Sequence, residues 1–83
     1  MTAYALDPQV AIRQEPFGAL AYHYGNRRLT FLRDPALVDV VRGLDAHESV
    51  DAALAASGVE PSRWPAFRKA LTNLADAGIL HAR

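Results

Sequence analysis

A small α+β domain, a three-stranded antiparallel β-meander followed by three α-helices, is what this sequence predicts. Three observations carry that reading. Segments with strand-like alternation around a tight-turn pair span 9–32, and helix caps followed by 3.6-residue apolar periodicity occupy the chain from Asp34 onward. The chain also has only 83 residues, with 51% hydrophobic and 22% charged, which is enough for one modest core and no more.

Taken in order, residues 1–6 read as a flexible tail and residues 7–83 as a single domain. Asp7-Pro8 starts the ordered part, with Pro8 where a strand least misses its N–H. Gln9-Val10-Ala11-Ile12-Arg13-Gln14 alternates like a half-buried strand, and Glu15-Pro16-Phe17-Gly18 turns it back. The next two arms flank Gly25-Asn26, a pair suited to a tight hairpin. Pairing Tyr24 with Arg27 puts Leu20, Tyr22, Tyr24, Leu29 and Phe31 on one face. Ala19, Ala21, His23, Arg28, Thr30 and Leu32 take the other. A sheet this small must bury one face on its helices, and the aromatic face is the expected one. Stacking of those rings on nucleic-acid bases is the competing reading. No segment after Leu32 reads as a strand, so the second hairpin arm is left with an unpaired outer edge.

Asp34 is placed to cap the first helix and Pro35 to occupy its first position. Leu37, Val40, Val41 and Leu44 form its apolar stripe. Ser49 caps a shorter second helix with Val50, Ala53 and Leu54 inward, stopped by Gly58. Pro61-Ser62 opens the third, with Trp64, Phe67, Leu71 and Leu74 along one side and Gly78 at its end. The hairpin as a wing beside a trio of helices makes the layout winged-helix-like.

Composition narrows the function. Nine Lys and Arg balance nine Asp and Glu, whereas a nucleic-acid-binding domain usually carries a basic excess. The charge is nonetheless uneven: Arg27, Arg28 and Arg33 bracket the second hairpin arm, while Asp39, Asp45, Glu48 and Asp51 face only Arg42. There is no cysteine, no signal-like start and no apolar run near the ~20 residues of a membrane span, and a cytoplasmic location is expected. His23, His47 and His81 are scattered without metal-ligand spacing, and Ser49 and Ser62 serve as caps rather than nucleophiles. No glycine-rich phosphate cradle is present. Neither an enzyme nor a bound cofactor or metal is expected.

The segments Asp7-Pro8-Gln9-Val10, Arg13-Gln14-Glu15-Pro16-Phe17-Gly18-Ala19-Leu20, Tyr22-His23-Tyr24-Gly25 and Leu29-Thr30-Phe31-Leu32 together resemble the peptide chaperones of the mycofactocin system. These belong to the PqqD-like family of recognition elements for ribosomally made, modified peptides. The resemblance is strongest over residues 6–33 and continues loosely through Leu71-Thr72-Asn73-Leu74-Ala75 and Gly78-Ile79-Leu80. It implies a non-catalytic chaperone that takes the leader of a precursor peptide as an added strand and presents it to a radical S-adenosylmethionine (SAM) maturase. The iron–sulfur clusters would belong to that enzyme. Carried over by element, Arg28, Leu29, Thr30, Phe31 and Leu32 would supply the docking strand, and Arg68, Leu71, Thr72 and Ala75 the opposite wall.

An added strand making ~5 hydrogen bonds at ~1 kcal/mol each gains about 5 kcal/mol, short of the roughly 8 kcal/mol of micromolar binding. The leader is therefore expected to bring apolar anchors and acidic residues for the arginines. A winged-helix DNA-binding regulator is the alternative reading, with the third helix as reader. The neutral charge and the apolar stripe on that helix speak against it.

Overall fold

The computed structural model describes residues 3–82 and has the α+β, winged-helix-like architecture read from the sequence. Strands β2 (Val10–Glu15), β3 (Gly18–His23) and β4 (Leu29–Leu32) form an antiparallel sheet in the order β2-β3-β4. Helices α1 (Pro35–Gly43), α2 (Val50–Ala56) and α3 (Trp64–Asp76) follow, with short 3₁₀ turns ahead of α2 and α3.

Two short strands depart from the expectation. Tyr4–Leu6, expected in a flexible tail, form β1, and Leu80–Ala82 form β5; they pair antiparallel as a separate ribbon, Ala5 opposite His81. Residues 1–2 of that expected tail lie outside the described residues. Each strand has three residues, too few for an alternating pattern to stand out in the sequence. What creates them is the return of the chain after α3, where the amide of Ile79 donates to the Leu74 carbonyl and the amide of Asp7 to Ile79. The new ribbon leaves the β4 edge as it was.

The caps act as expected. Asp34 Oδ1 accepts from the Ala36 amide at 2.9 Å, and Ser49 Oγ from the Ala52 amide at 3.1 Å. Val38, Val40, Val41, Leu44, Leu54, Leu71, Leu74, Ile79 and Leu80 build the core, with Leu37 and Trp64 packed half-buried against it.

The hairpin keeps the expected register, Tyr22 opposite Leu29 and Leu20 opposite Phe31. Which face is buried is the reverse of the expectation. Ala19 and Ala21 have no exposure and Leu32 is buried, whereas Tyr24, Leu29 and Phe31 are exposed. The cause is steric. Alanines at alternate positions let α1 lie close against β3, and a face of tyrosine and phenylalanine would hold it off.

His23 organises the turn. Its Nδ1 accepts from the backbone amides of Gly25 at 3.0 Å and Asn26 at 3.1 Å, and its Nε2 lies 3.7 Å from Asp7 Oδ1. A Cβ on Gly25 would come within 2.8 Å of the His23 ring and displace the end of the Gln9 side chain, so a larger residue there would disturb the ring that holds the turn. The left-handed residue of the turn is Arg27, at φ 61°. The loop is therefore wider than a two-residue turn, with Arg27 and Arg28 closing on His23. Replacing His23 with leucine should leave both turn amides without an acceptor and lower stability by about 1–3 kcal/mol, read as a shift in the urea midpoint.

Candidate functional site

The outer edge of β4 has no strand beside it among the described residues. In an antiparallel pair, residues alternate between those that bond across the ladder and those that point away from it. The His23 amide donates to the Arg28 carbonyl at 3.0 Å, and this sets the phase. Thr30 and Leu32 turn their N–H and C=O toward β3, and Leu29 and Phe31 turn theirs toward the open edge. The other edge strand, β2, is flanked by an Arg13–Glu15 ion pair at 3.0 Å, the kind of charged side chain that discourages pairing.

Helix α3 runs beside the open edge but packs instead on β5 and α2, while β4 packs on β3 and α1. Two contacts tie β4 to α3 at its ends. At the hairpin tip, Asn26 Nδ2 donates to the Ala77 carbonyl at 3.4 Å. At the other end, the Arg63 guanidinium donates to Asp34 Oδ2 at 2.7 Å while Oδ1 of the same carboxylate caps α1. The two segments therefore run antiparallel, each spanning roughly 20–26 Å by its rise per residue. Near the Arg63–Asp34 tie opens a groove of about 390 Å³, lined by Asp34, Leu37, Ser62, Arg63, Ala66, Phe67 and Ala70. Its lining is mostly apolar, and its size falls within the ~300–1,000 Å³ of ordinary ligand sites.

The structure distributes the sequence-derived candidates unevenly. Arg28, Leu29 and Phe31 are exposed, Thr30 is half-buried, and the Leu32 side chain lies in the core. On α3, Leu71 has no exposure and Ala75 is half-buried against the core. Arg68 is held away from the groove. It binds Asp51 of α2 at 2.7 Å and lies 5.6 Å from the Trp64 ring. Thr72 bonds the Arg68 carbonyl at 3.0 Å. At 100° per residue the groove side of α3 is the line of Arg63, Ala66 and Ala70, more than a quarter-turn from Arg68 and Thr72. The wall expected from the sequence, Arg68, Leu71, Thr72 and Ala75, and the groove lie on different sides of α3. Arg63, Ala66 and Ala70 share that side because they fall at i, i+3 and i+7.

Among the described residues no three of His, Cys, Asp and Glu come together as metal ligands, and no helix is long and apolar enough to cross a membrane. Of the two cations on α3, Arg68 and Lys69, Arg68 is already engaged by Asp51.

The model of the Peptide chaperone MftB family matches residues 3–81. Three curated proteins, each named Peptide chaperone MftB, are similar over nearly the whole chain. That of Mycobacterium ulcerans (strain Agy99) is 44% identical over 77 residues, 93% of this chain and 71% of that protein. Those of Mycolicibacterium smegmatis (strain ATCC 700084 / mc(2)155) and Mycobacterium tuberculosis (strain ATCC 25618 / H37Rv) are 41% and 39% identical, covering 94% and 96% of this chain and 76% and 73% of their own lengths. No solved structure matches the chain.

Buried Leu71 and exposed Thr72 separate architecture from surface. Leu71→Ala should cost about 2–5 kcal/mol through the cavity it leaves, and Thr72→Ala within ~0.5 kcal/mol, both measured by chemical denaturation.

Proposed function

The chain belongs to the peptide chaperone MftB family, a family of non-catalytic peptide chaperones, and on that footing we propose how it holds its peptide. The leader of a ribosomally made precursor adds to the sheet as a strand along the outer edge of β4, pairing with the backbone of Leu29 and Phe31. Its side chains on the helix side enter the groove of Ala66, Phe67 and Ala70, over Leu37. The loaded chaperone then presents the precursor to a radical SAM maturase in mycofactocin biosynthesis. It does so in the cytoplasm, a reducing setting that a cysteine-free chain suits.

The observation that carries this reading is the pairing of an open strand edge with an apolar groove, the two elements tied together at both ends. Strand addition needs unpaired backbone groups for affinity and pockets for alternate side chains for specificity. Arg28 at the edge, and Arg63 and Asp34 at the groove, would orient charged leader residues.

The test uses a labelled precursor leader and three variants. Phe31→Pro removes an edge-facing N–H without disturbing the β3–β4 ladder, and Phe31→Ala removes the same side chain with the N–H kept. The proline variant should bind the leader about 5–10-fold more weakly than the alanine variant, the worth of one hydrogen bond. Ala70→Trp should fill the groove and weaken binding by at least ~10-fold. Circular dichroism of each variant checks the fold. Equal affinities of the proline and alanine variants would count against strand addition at β4.

A further inference from the structure

The outward face of the sheet carries a cluster that peptide binding at the edge leaves untouched. Phe17, Tyr24, Leu29 and Phe31 are 41%, 62%, 52% and 53% exposed. The Phe17 and Phe31 rings meet edge-on at 5.8 Å, and Tyr22 meets Tyr24 at 5.2 Å. At ~200 Å² for a large side chain, the four exposed residues alone present roughly 400 Å², within the size range at which a patch on a small protein is usually functional. With Leu20, Tyr22 and the arginine stems beside them, the face approaches the ~800 Å² that one partner of a standard interface contributes.

The charge on this face is net positive, with Arg33 as its uncompensated cation. Arg33 stacks over Phe31 at 5.6 Å, and Arg13 lies on the same side of β2, opposite Leu20. The one acid close by, Glu15, is already paired with Arg13. Four of the chain's nine acids, Asp39, Asp45, Glu48 and Asp51, lie in the helical part.

We infer that this aromatic and arginine face is a second docking surface, for an apolar protein surface rimmed with acidic residues on the enzyme that receives the peptide. The inference rests on the proposed chaperone role for the choice of enzyme and on the geometry for the surface. Strand β4 has two separate outlets: the backbone of Leu29 and Phe31 opens to the edge, and their side chains stand on the outer face. An enzyme seated there would lie beside the bound peptide without competing for its groove. A second copy of this chain, face to face, would bring together two faces of the same net positive charge. A single-stranded nucleic acid would need flat rings turned outward for stacking. Here the rings cross at 62° and 77°, and each pair shows an edge to its neighbour.

The experiment measures binding of the chain to the radical SAM maturase of the same organism, with leader binding as an independent readout. The variants are Phe17→Ser with Tyr24→Ser, and Arg33→Glu, all at exposed positions outside the groove and off β4 itself. Maturase affinity should fall at least tenfold in the double variant. It should also fall in Arg33→Glu, with a shallower salt dependence, while leader affinity stays within twofold of the unsubstituted chain. Unchanged maturase affinity in variants that still bind leader overturns this surface and leaves the chaperone role standing. Failure of the unsubstituted chain to bind leader strikes at that role instead, and failure to bind the maturase overturns the surface directly. The surface is equally overturned if sedimentation shows self-association, or fluorescein-labelled oligo(dT) shows tight binding, that these same substitutions abolish.

Discussion

Close packing of α1 on the two alanines of β3 is the contact from which the rest of this molecule follows. Ala19 and Ala21 have no exposure and offer the helix almost no bulk, so the backbone of α1 can settle against the sheet. Val38, Val40 and Val41 fill the space that remains. Once the alanine face is inward, strand alternation leaves no choice for the residues between. Leu20, Tyr22, Leu29 and Phe31 must stand outward, because a one-residue shift would turn every side chain over. The direction of the sheet, the exposed aromatics and the position of the open β4 edge all descend from that contact.

The sequence was most legible where the physics is local. Caps at Asp34 and Ser49, the three helices and the register of the hairpin depend on residues within a few positions of one another, and each was readable. The buried face of the sheet was not, because hydrophobicity favours the aromatics while volume favours the alanines. Deciding between them requires knowing how near α1 will come. Strands β1 and β5 were hidden for a related reason: a three-residue strand exists only because a distant one meets it. In the candidate site, Arg28 to Leu32 was read as one docking stretch, and which of its residues face the open edge depends on ladder phase. That phase is visible only through the His23–Arg28 bond. Which side of α3 turns toward the groove depends on helical phase in the same way. Arg68 and Thr72 share α3 with Ala66 and Ala70, and the Arg68–Asp51 contact shows which side turns toward α2.

Asp34 joins the local and the long-range parts of this account. One oxygen of its carboxylate caps α1, and the other receives Arg63 from the start of α3. As an ion pair between half-exposed groups this contact contributes little stability, on the order of 0.2–1 kcal/mol. Its consequence is geometric. It fixes the start of α3 relative to the end of β4, as Asn26 does at the hairpin tip through the Ala77 carbonyl. The Arg63 guanidinium also lies 4.9 Å from the Phe67 ring, so the tie and the apolar floor of the groove are one assembly. If the leader binds there as proposed, a cleft held at both ends has less to order, which lowers the entropic cost of binding.

That lowered cost matters because the edge itself is short. Leu29 and Phe31 offer two N–H and two C=O groups, so an added strand gains about four hydrogen bonds, or roughly 4 kcal/mol at ~1 kcal/mol each. Micromolar affinity needs about twice as much before the ordering of a flexible peptide is counted. The deficit falls to side chains. At ~25 cal/mol per Å² of apolar surface, covering roughly 200–300 Å² of peptide and groove contributes about 5–8 kcal/mol, enough to offset it. On the proposed mode of binding, the alanines of α3 acquire a reason. Larger residues at Ala66 and Ala70 would occupy the space that an incoming side chain must fill, while Phe67 and Leu37 keep the floor apolar. Small residues let α1 approach the sheet, and small residues keep α3 open to a guest.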